Sequence, residues 1–205
     1  MCNCGLLLIT AALSLTGYNR WDNCRADAEA GSALKQLFPE MESDQIPAEE
    51  GLLCRKTRKN VILDEIEYPD YILNLDMPVK RINGNDYIGI ISIPAIDRVL
   101  PILSEWSYQN LKITPCRYAG SAYLDNLVIC AHNYRTHFGS LKNLHYGDMI
   151  TFTDIDGNTF NYKVIEIDTL QPAAIDELTS GNRDLTLFTC TIGGATRVTV
   201  RCEKV

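Results

Sequence analysis

Three residues in the C-terminal half of the chain have the types needed for acyl transfer through a thioester. One of them, Cys190, ends the apolar run D-L-T-L-F-T-C and is followed by T-I-G-G. This pattern predicts a cysteine at a strand end, beside a glycine-containing loop that a substrate can approach. The thiolate form of cysteine is the nucleophile that attacks a carbonyl carbon. The alternative is a core thiol, because cysteine is among the most often buried residue types.

A histidine ends a second apolar run, V-I-C-A-H-N-Y. A strand that buries apolar side chains and then delivers the imidazole of His132 at its end can position a general acid or base. A loop histidine with only local hydrogen bonds is the alternative. The chain has two competing histidines, His137 and His145. We expect the first to cap or pack and the second to be exposed in a turn.

An arginine follows Cys190 across a short glycine-containing stretch. If the strand-like runs on either side of Gly193-Gly194 pair, Arg197 lies beside Cys190 across the ladder. A guanidinium at that place can hold a substrate carbonyl or stabilise a developing oxyanion. Arg201 lies on the same face by the two-residue alternation of a strand. Either arginine also fits a solvated strand position.

The elements that must position these residues are short β-rich runs within residues 81–205. Pro101 makes one run edge-like, and the Asp-Gly pair at 156–157 predicts a hairpin. Helical turns are expected at 138–144 and 175–178. The strand-like runs cover residues 87–93, 99–103, 126–131, 149–154, 159–168, 184–191 and 196–203. Many short strands with few helices predict a mainly β fold, a barrel or a sandwich, and not a parallel βαβ sheet.

Composition excludes several classes of protein. The chain has 205 residues, of which 46% are hydrophobic and 22% charged, so disordered, collagenous and low-complexity proteins are excluded. The net charge of −7 argues against nucleic acid as the main partner. The eight cysteines contain no C-x-x-C pair and leave the redox compartment open. Cys130-x-His132 lacks two further well-spaced ligands, so we expect no metal and no cofactor.

The N-terminus begins with an apolar segment. Residues 5–15 read G-L-L-L-I-T-A-A-L-S-L, shorter than the about 20 residues of a full span, although residues 1–4 and Tyr18 can extend them. Trp21 would then lie at the membrane interface. The segment lacks the positively charged start of a signal peptide. We expect an uncleaved signal anchor over residues 1–21; a cleaved signal and a buried helix are the alternatives.

The region between this segment and the β-rich part has two compositions. Residues 22–38 are rich in helix formers, which suits a helix leaving a membrane. From Pro39 to about Lys80 the chain is acidic and contains several prolines, which is typical of a linker or a loosely docked arm. We therefore divide the chain into an anchor, a helical stalk and linker over residues 22–80, and a catalytic domain over residues 81–205.

Taken together, Cys190, His132 and Arg197 indicate a function more specifically than any one of these residues does. The segment T-L-F-T-C-T-I-G-G-A-T-R resembles the signature of the sortase family, T-L-x-T-C followed by an arginine on the next strand. Upstream, A-H-N-Y is similar to the histidine segment of that family, and the resemblance extends over about Tyr87 to Val205. Papain-like peptidases place the cysteine before the histidine, whereas here His132 precedes Cys190.

The resemblance implies a fold and an activity. Sortases are membrane-anchored cysteine transpeptidases, mainly of Gram-positive bacteria, with a closed β-barrel of about eight strands and short helices. They cleave a C-terminal LPXTG-like sorting signal of surface proteins or pilins between Thr and Gly, and an amine of cell-wall precursor or pilin lysine resolves the acyl-enzyme. By position, Cys190 is the nucleophile, His132 the acid or base, and Arg197 the oxyanion or substrate clamp. The expected location is the cell membrane, with the catalytic domain outside.

Substrate contacts and subclass follow less directly. Thr189 and Thr191 flank the nucleophile and are expected to bond the substrate backbone or support the oxyanion, and Ile192 or the Tyr118–Leu124 loop would form an apolar wall. The interval from His132 to the nucleophile leaves little room for the extra helix of class B sortases, and the Asp-Pro order of a class C lid is absent. This favours a class D-like or housekeeping-like sortase. A cell-surface cysteine peptidase or amidase and a non-enzymatic membrane-anchored β-domain are the alternatives.

Overall fold

A computed structural model describes residues 3–39, 76–174, 178–179, 183–191 and 193–205. Within these residues one long helix, α1 (Asn3–Leu37), precedes nine strands. The strands are β1 (Lys80–Ile82), β2 (Asn85–Ile93), β3 (Arg98–Leu103), β4 (Cys116–Ala119), β5 (Leu127–Ala131), β6 (Met149–Asp154), β7 (Thr159–Leu170), β8 (Leu185–Cys190) and β9 (Arg197–Lys204).

Eight of these strands close into a barrel. They pair in the order β2-β3-β4-β5-β8-β9-β7-β6, and β6 pairs back onto β2, while β1 adds only to β2. All pairs are antiparallel except β3–β4 and β5–β8. The predicted mainly β fold, a closed barrel of about eight strands, is therefore confirmed.

Most strands predicted from the sequence are present within one or two residues of their expected ends. The two that the sequence analysis missed, β1 and β4, have only three and four residues. The helical turn expected at 138–144 is a 3₁₀ turn over Leu141–Asn143. Of the turn expected at 175–178, residues 175–177 lie outside the described residues, and Leu178 and Thr179 are helical.

Strands β5 and β8, which lead to His132 and Cys190, are buried on both faces. Every residue of β5 is buried, and β8 is buried up to its last residue, Cys190. One face of these strands lies in the barrel interior, with Ile129 and Leu187. The other face carries Val128 and Phe188 and packs with the C-terminal turns of α1. Because each fully buried aliphatic side chain contributes about 1.5–3 kcal/mol, the ends of these strands are firmly placed.

Helix α1 packs on the outside of the barrel through a narrow face of small side chains. Ala26, Ala30, Ala33 and Leu37 recur at helical spacing and are buried. Lys80 on β1 also donates to the carbonyl of Gln36 at 3.2 Å. The helix continues without a break through residues 21 and 22, where the anchor was expected to end.

The apolar N-terminal part of α1 has no covering neighbour in the described chain. Leu8, Leu13 and Trp21 are among its exposed side chains. By hydropathy, none of the helices formed by the described residues is long and apolar enough to cross a membrane. Most of the linker expected before residue 80, from residue 40 to 75, lies outside the described residues. The predicted division of the chain at residues 21 and 80 stays a prediction.

Closure of the barrel depends on a close approach of β2 and β6. Gly89 pairs with Asp154, and an added Cβ at Gly89 would lie 2.1 Å from the carbonyl oxygen of Thr153. We predict that Gly89→Ala lowers the free energy of unfolding by about 3 kcal/mol or more, because backbone atoms of β6 cannot yield as a flexible side chain does. Urea unfolding followed by circular dichroism measures this loss.

The matched control is Gly147→Ala. Gly147 has a φ of +89° but open space around the position of an added Cβ. This variant should lose only about 1–2 kcal/mol, the cost of a left-handed conformation for a residue with a side chain. Equal losses in the two variants would contradict the steric account of barrel closure.

Candidate active site

The sulfur of Cys190 lies against a guanidinium. Cys190 ends β8 and pairs with Arg197, the first residue of β9, and Arg197 Nη1 donates to Cys190 Sγ at 2.9 Å. The turn between the two strands includes Gly193 and Gly194, whose φ angles of 84° and 73° are left-handed. The register predicted from the glycine pair is thus present. It places a fixed positive charge beside a sulfur that carries negative charge as a thiolate.

The imidazole of His132 comes directly after β5, the strand that pairs with β8 on the side opposite to β9. Strands β5 and β8 run parallel with Ala131 opposite Thr189, so His132, directly after β5, and Cys190, the last residue of β8, lie at the same end of the sheet. The Thr189 hydroxyl donates to the Ala131 carbonyl at 2.9 Å and fastens the two strand ends together. His132 and Cys190 line one cavity of about 320 Å³.

The surroundings of His132 disfavour its charged form. The ring is half-buried, and burial is the main cause that lowers its pKa. The Asp22 carboxylate acts in the opposite direction, while the positive charge of Lys112 lowers the pKa further. Burial and Lys112 together thus favour the neutral imidazole over the imidazolium, and Asp22 opposes them.

The other two histidines do not line this cavity. His137 is completely buried, and its ring lies 5.2 Å from the Tyr134 ring. Burial lowers the pKa of His137 to about 4. His145 is exposed in the turn before β6. His132 is thus the histidine that the fold brings to Cys190.

A second cavity of about 320 Å³ lies on another side of the sulfur. Cys190 and Thr191 line both cavities, but the second one has Phe138, Val198 and Lys142 in its wall in place of His132. Cys190 therefore lines both a cavity that contains an imidazole and a cavity with Phe138 and Val198 in its wall.

The remaining predicted site residues have varied positions. Thr189 is buried with its hydroxyl engaged as described, and the Thr191 hydroxyl accepts from the Thr196 N–H at 3.1 Å and closes the β8–β9 turn. Ile192 lies outside the described residues. Arg201 contacts Glu166 and Asp168, each at 3.1 Å, and lies in an ion-pair cluster away from Cys190. The substrate-binding roles of the two threonines and of Ile192 stay predictions.

The loop expected to form an apolar wall does not reach either cavity. None of residues 118–124 is among the side chains that line the two cavities at Cys190. Tyr118 instead packs edge-on against Phe188, with ring centroids 5.3 Å apart. No group of three or more metal-binding side chains occurs within the described part of the chain.

Sequence analysis missed the contribution of helix α1 to the site. Asn19, Asp22 and Asn23 line the cavity that contains His132, and the Tyr134 hydroxyl donates to the Asp22 carboxylate. Tyr134 was visible as the last letter of A-H-N-Y. No local signal marks Asp22, because its partner is distant in the chain and the contact exists only after α1 has docked.

Comparison with known proteins gives a consistent result. The family model described as "Sortase domain" matches residues 91–205, more than half of the chain. No curated protein sequence matches significantly.

Solved structures of similar fold include sortases of types A and C. Sortase C from Clostridium perfringens SM101 is 32% identical, with a TM-score of 0.51 over 58% of this chain and 70% of that chain. The pilus-related sortase C of Group B Streptococcus is 28% identical, with a TM-score of 0.52 over 61% and 69% of the two chains. Sortase A from Corynebacterium diphtheriae is 28% identical, with a TM-score of 0.52 over 59% and 61%.

The cysteines should differ sharply in their reactivity. Cys116, Cys130 and Cys202 are buried. Burial raises the pKa of the Cys116 thiol, and it raises the pKa of the Cys130 and Cys202 thiols to about 12. We predict that iodoacetamide modifies Cys190 in the folded protein at neutral pH and leaves these three unmodified, as peptide mapping by mass spectrometry would show. In guanidinium chloride all should react. A protected Cys190 would contradict the accessible site, and Cys24, which is also exposed, serves as the positive control.

Proposed function

The chain belongs to the sortase family, whose members are cysteine transpeptidases, and we propose that it cleaves an LPXTG-like sorting signal through a thioester on Cys190. The acyl group would then pass to an amine of cell-wall precursor or of a pilin lysine. The observation that carries this proposal is the contact of Arg197 with Cys190 at the cavity that His132 also lines.

The first half of the reaction is acylation. The Cys190 thiolate attacks the carbonyl carbon of the threonine in the sorting signal, and the carbonyl oxygen becomes an oxyanion. Arg197 is placed to donate to this oxyanion or to the neighbouring substrate carbonyl. His132, as the imidazolium, gives its proton to the leaving amine of glycine, the C–N bond breaks, and a thioester remains on Cys190.

The second half is transfer to an amine. The incoming amine attacks the thioester, neutral His132 takes its proton, and the sulfur leaves as thiolate beside Arg197. The two cavities that meet at Cys190 support this scheme, because each provides room for one of the two reactants. We assign the acyl part of the substrate to the cavity with Phe138 and Val198, and the amine to the cavity with His132.

Partners and location follow from the same proposal. Sortases act at the cell surface, and the partners proposed here are surface proteins or pilins that carry a sorting signal. We propose that the apolar residues at the start of α1 hold the protein at the membrane. The class D-like or housekeeping-like subclass also stays a prediction, since the similar structures are of the A and C types.

Substrate and reaction type can be tested together by intact mass. The protein is incubated with peptides containing LPXTG-, LPXTA- and NPQTN-like motifs, with and without an added amine. We predict an acyl adduct on Cys190 that moves to the amine, and no adduct in Cys190→Ala with the fold retained. Release to water in the presence of amine would instead identify a hydrolase. Cleavage that persists in Cys190→Ala would contradict the assignment of the nucleophile.

The roles of the other two residues predict separate losses. His132→Ala should lower kcat/KM by about 10²–10⁴-fold, the usual contribution of a positioned acid or base. Arg197→Lys should lose about 10²-fold, since a point charge cannot copy the planar donor fork. His145→Ala, an exposed histidine outside the cavity, is the control and should retain wild-type activity. Peptide cleavage followed by chromatography measures all three, and near-wild-type activity of His132→Ala would contradict the role of this histidine.

A further inference from the structure

The ring of Tyr134 lies between two imidazoles. Its centroid is 4.9 Å from that of His132 and 5.2 Å from that of His137. The His137 ring is completely buried, so this neighbour of the Tyr134 ring is held in place by packing. Gly139 closes this loop, because its N–H donates to the Tyr134 carbonyl at 2.9 Å and an added Cβ would lie 2.7 Å from the same oxygen. His132, the half-buried histidine, therefore contacts a Tyr134 ring whose movement is restricted.

A carboxylate from α1 fixes the other end of this tyrosine. The Tyr134 hydroxyl donates to Oδ2 of Asp22, which is 9% exposed. Oδ1 of the same carboxylate accepts from Arg25 Nη2 at 2.9 Å, and Arg25 also contacts Glu29 at 2.8 Å. Both oxygens of Asp22 are thus engaged, and the helix presents the carboxylate in a single orientation.

We propose that Asp22 and Tyr134 are positioning residues for His132, so that helix α1 completes the active site of the barrel. Tyr134 restricts the imidazole through a tilted ring contact, with an interplanar angle of 38°, and Asp22 holds the Tyr134 ring by its hydrogen bond. Asp22 also supplies a negative charge near the imidazolium. The inference about catalysis rests on the function proposed above, whereas the effect of Asp22 on His132 itself can be measured without any substrate.

The charge of Asp22 is opposed by several other groups around His132. Lys112 contributes positive charge near the imidazole, Arg25 forms an ion pair with Asp22 itself, and the buried His137 contacts the Tyr134 ring. Cys190 faces His132 from β8 across the same cavity. Asp22 is the carboxylate that raises the pKa of His132 against burial and Lys112. Removing its charge therefore shifts the imidazole further towards the neutral form.

The direct test is a titration of the histidines by NMR in the full chain. The three histidines give three Hε1 ring resonances, and His132→Asn identifies the one that belongs to His132. Asp22→Asn keeps an acceptor for the Tyr134 hydroxyl but removes the charge, so the pKa of His132 should fall by about half a unit or more. Asp27→Asn is the matched control, since Asp27 is exposed on the same helix, and it should leave the pKa unchanged.

The catalytic part is tested by kinetics on the same variants. At a pH above the pKa of His132, a fall of that pKa by half a unit lowers the imidazolium fraction about threefold. The kcat of Asp22→Asn should therefore fall about threefold. The acid limb of its pH–rate profile should move to lower pH. Tyr134→Phe keeps the ring but loses the hydrogen bond, and we expect about a tenfold loss in kcat because the imidazole is less well placed. Asp22→Ala and Tyr134→Phe each break the contact between these residues, so the double variant of these two should lose less than the product of the single losses.

The outcomes separate the possible roles. If Asp22 only docks the helix, Asp22→Asn lowers the melting temperature, but the His132 titration matches that of Asp27→Asn, and the proposal is overturned. If the fold-losses in kcat of the two single variants multiply in the double variant, the proposed coupling between Asp22 and Tyr134 is overturned. A shifted titration in a protein without transpeptidase activity would support the link between Asp22 and His132 while contradicting the proposed function.

Discussion

The whole site depends on the pairing of three adjacent strands, β5, β8 and β9. The parallel register of β5 and β8 delivers His132 and Cys190 at one end of the sheet, and the antiparallel register of β8 and β9 sets Arg197 opposite Cys190. Because side chains alternate across a strand, a slip of one residue would send one of the three groups to the opposite face. The hydrogen bond from Thr189 to the Ala131 carbonyl fixes this register next to the chemical residues.

Burial of β5 and β8 on both faces makes this arrangement rigid. Burial also influences the charge states of the residues at the site. The central strands can hold Cys190 in place because their other side chains are removed from water on both sides. The same burial disfavours the imidazolium form of His132. The site therefore needs groups that favour charge, and Arg197 beside the sulfur and Asp22 near the imidazole provide them. Helix α1 thus has a place in the electrostatics of the site as well as in the packing.

Much of this structure was accessible from the sequence, for local reasons. The apolar runs predicted a mainly β fold, a barrel or a sandwich, and the resemblance to the sortase family implied the closed barrel. The Gly193-Gly194 turn predicted the β8–β9 pairing and the place of Arg197 beside Cys190. The short β1 and β4 were missed because three or four residues carry too little pattern. Asp22 could not be predicted, since its contact with Tyr134 joins residues far apart in the chain and depends on how α1 docks. The Tyr118–Leu124 loop was one candidate for an apolar wall that the sequence alone could not place, and in the fold Tyr118 packs against Phe188.

The central claim is that Cys190, which contacts Arg197 and lines a cavity with His132, carries the acyl group during turnover. A single-turnover experiment with a sorting peptide, quenched at intervals and analysed by peptide mapping, tests it most directly. The account predicts a thioester on Cys190 that forms at least as fast as product appears and decays faster when amine is added. Product formation without this thioester, or an acyl group on a different cysteine, would contradict it.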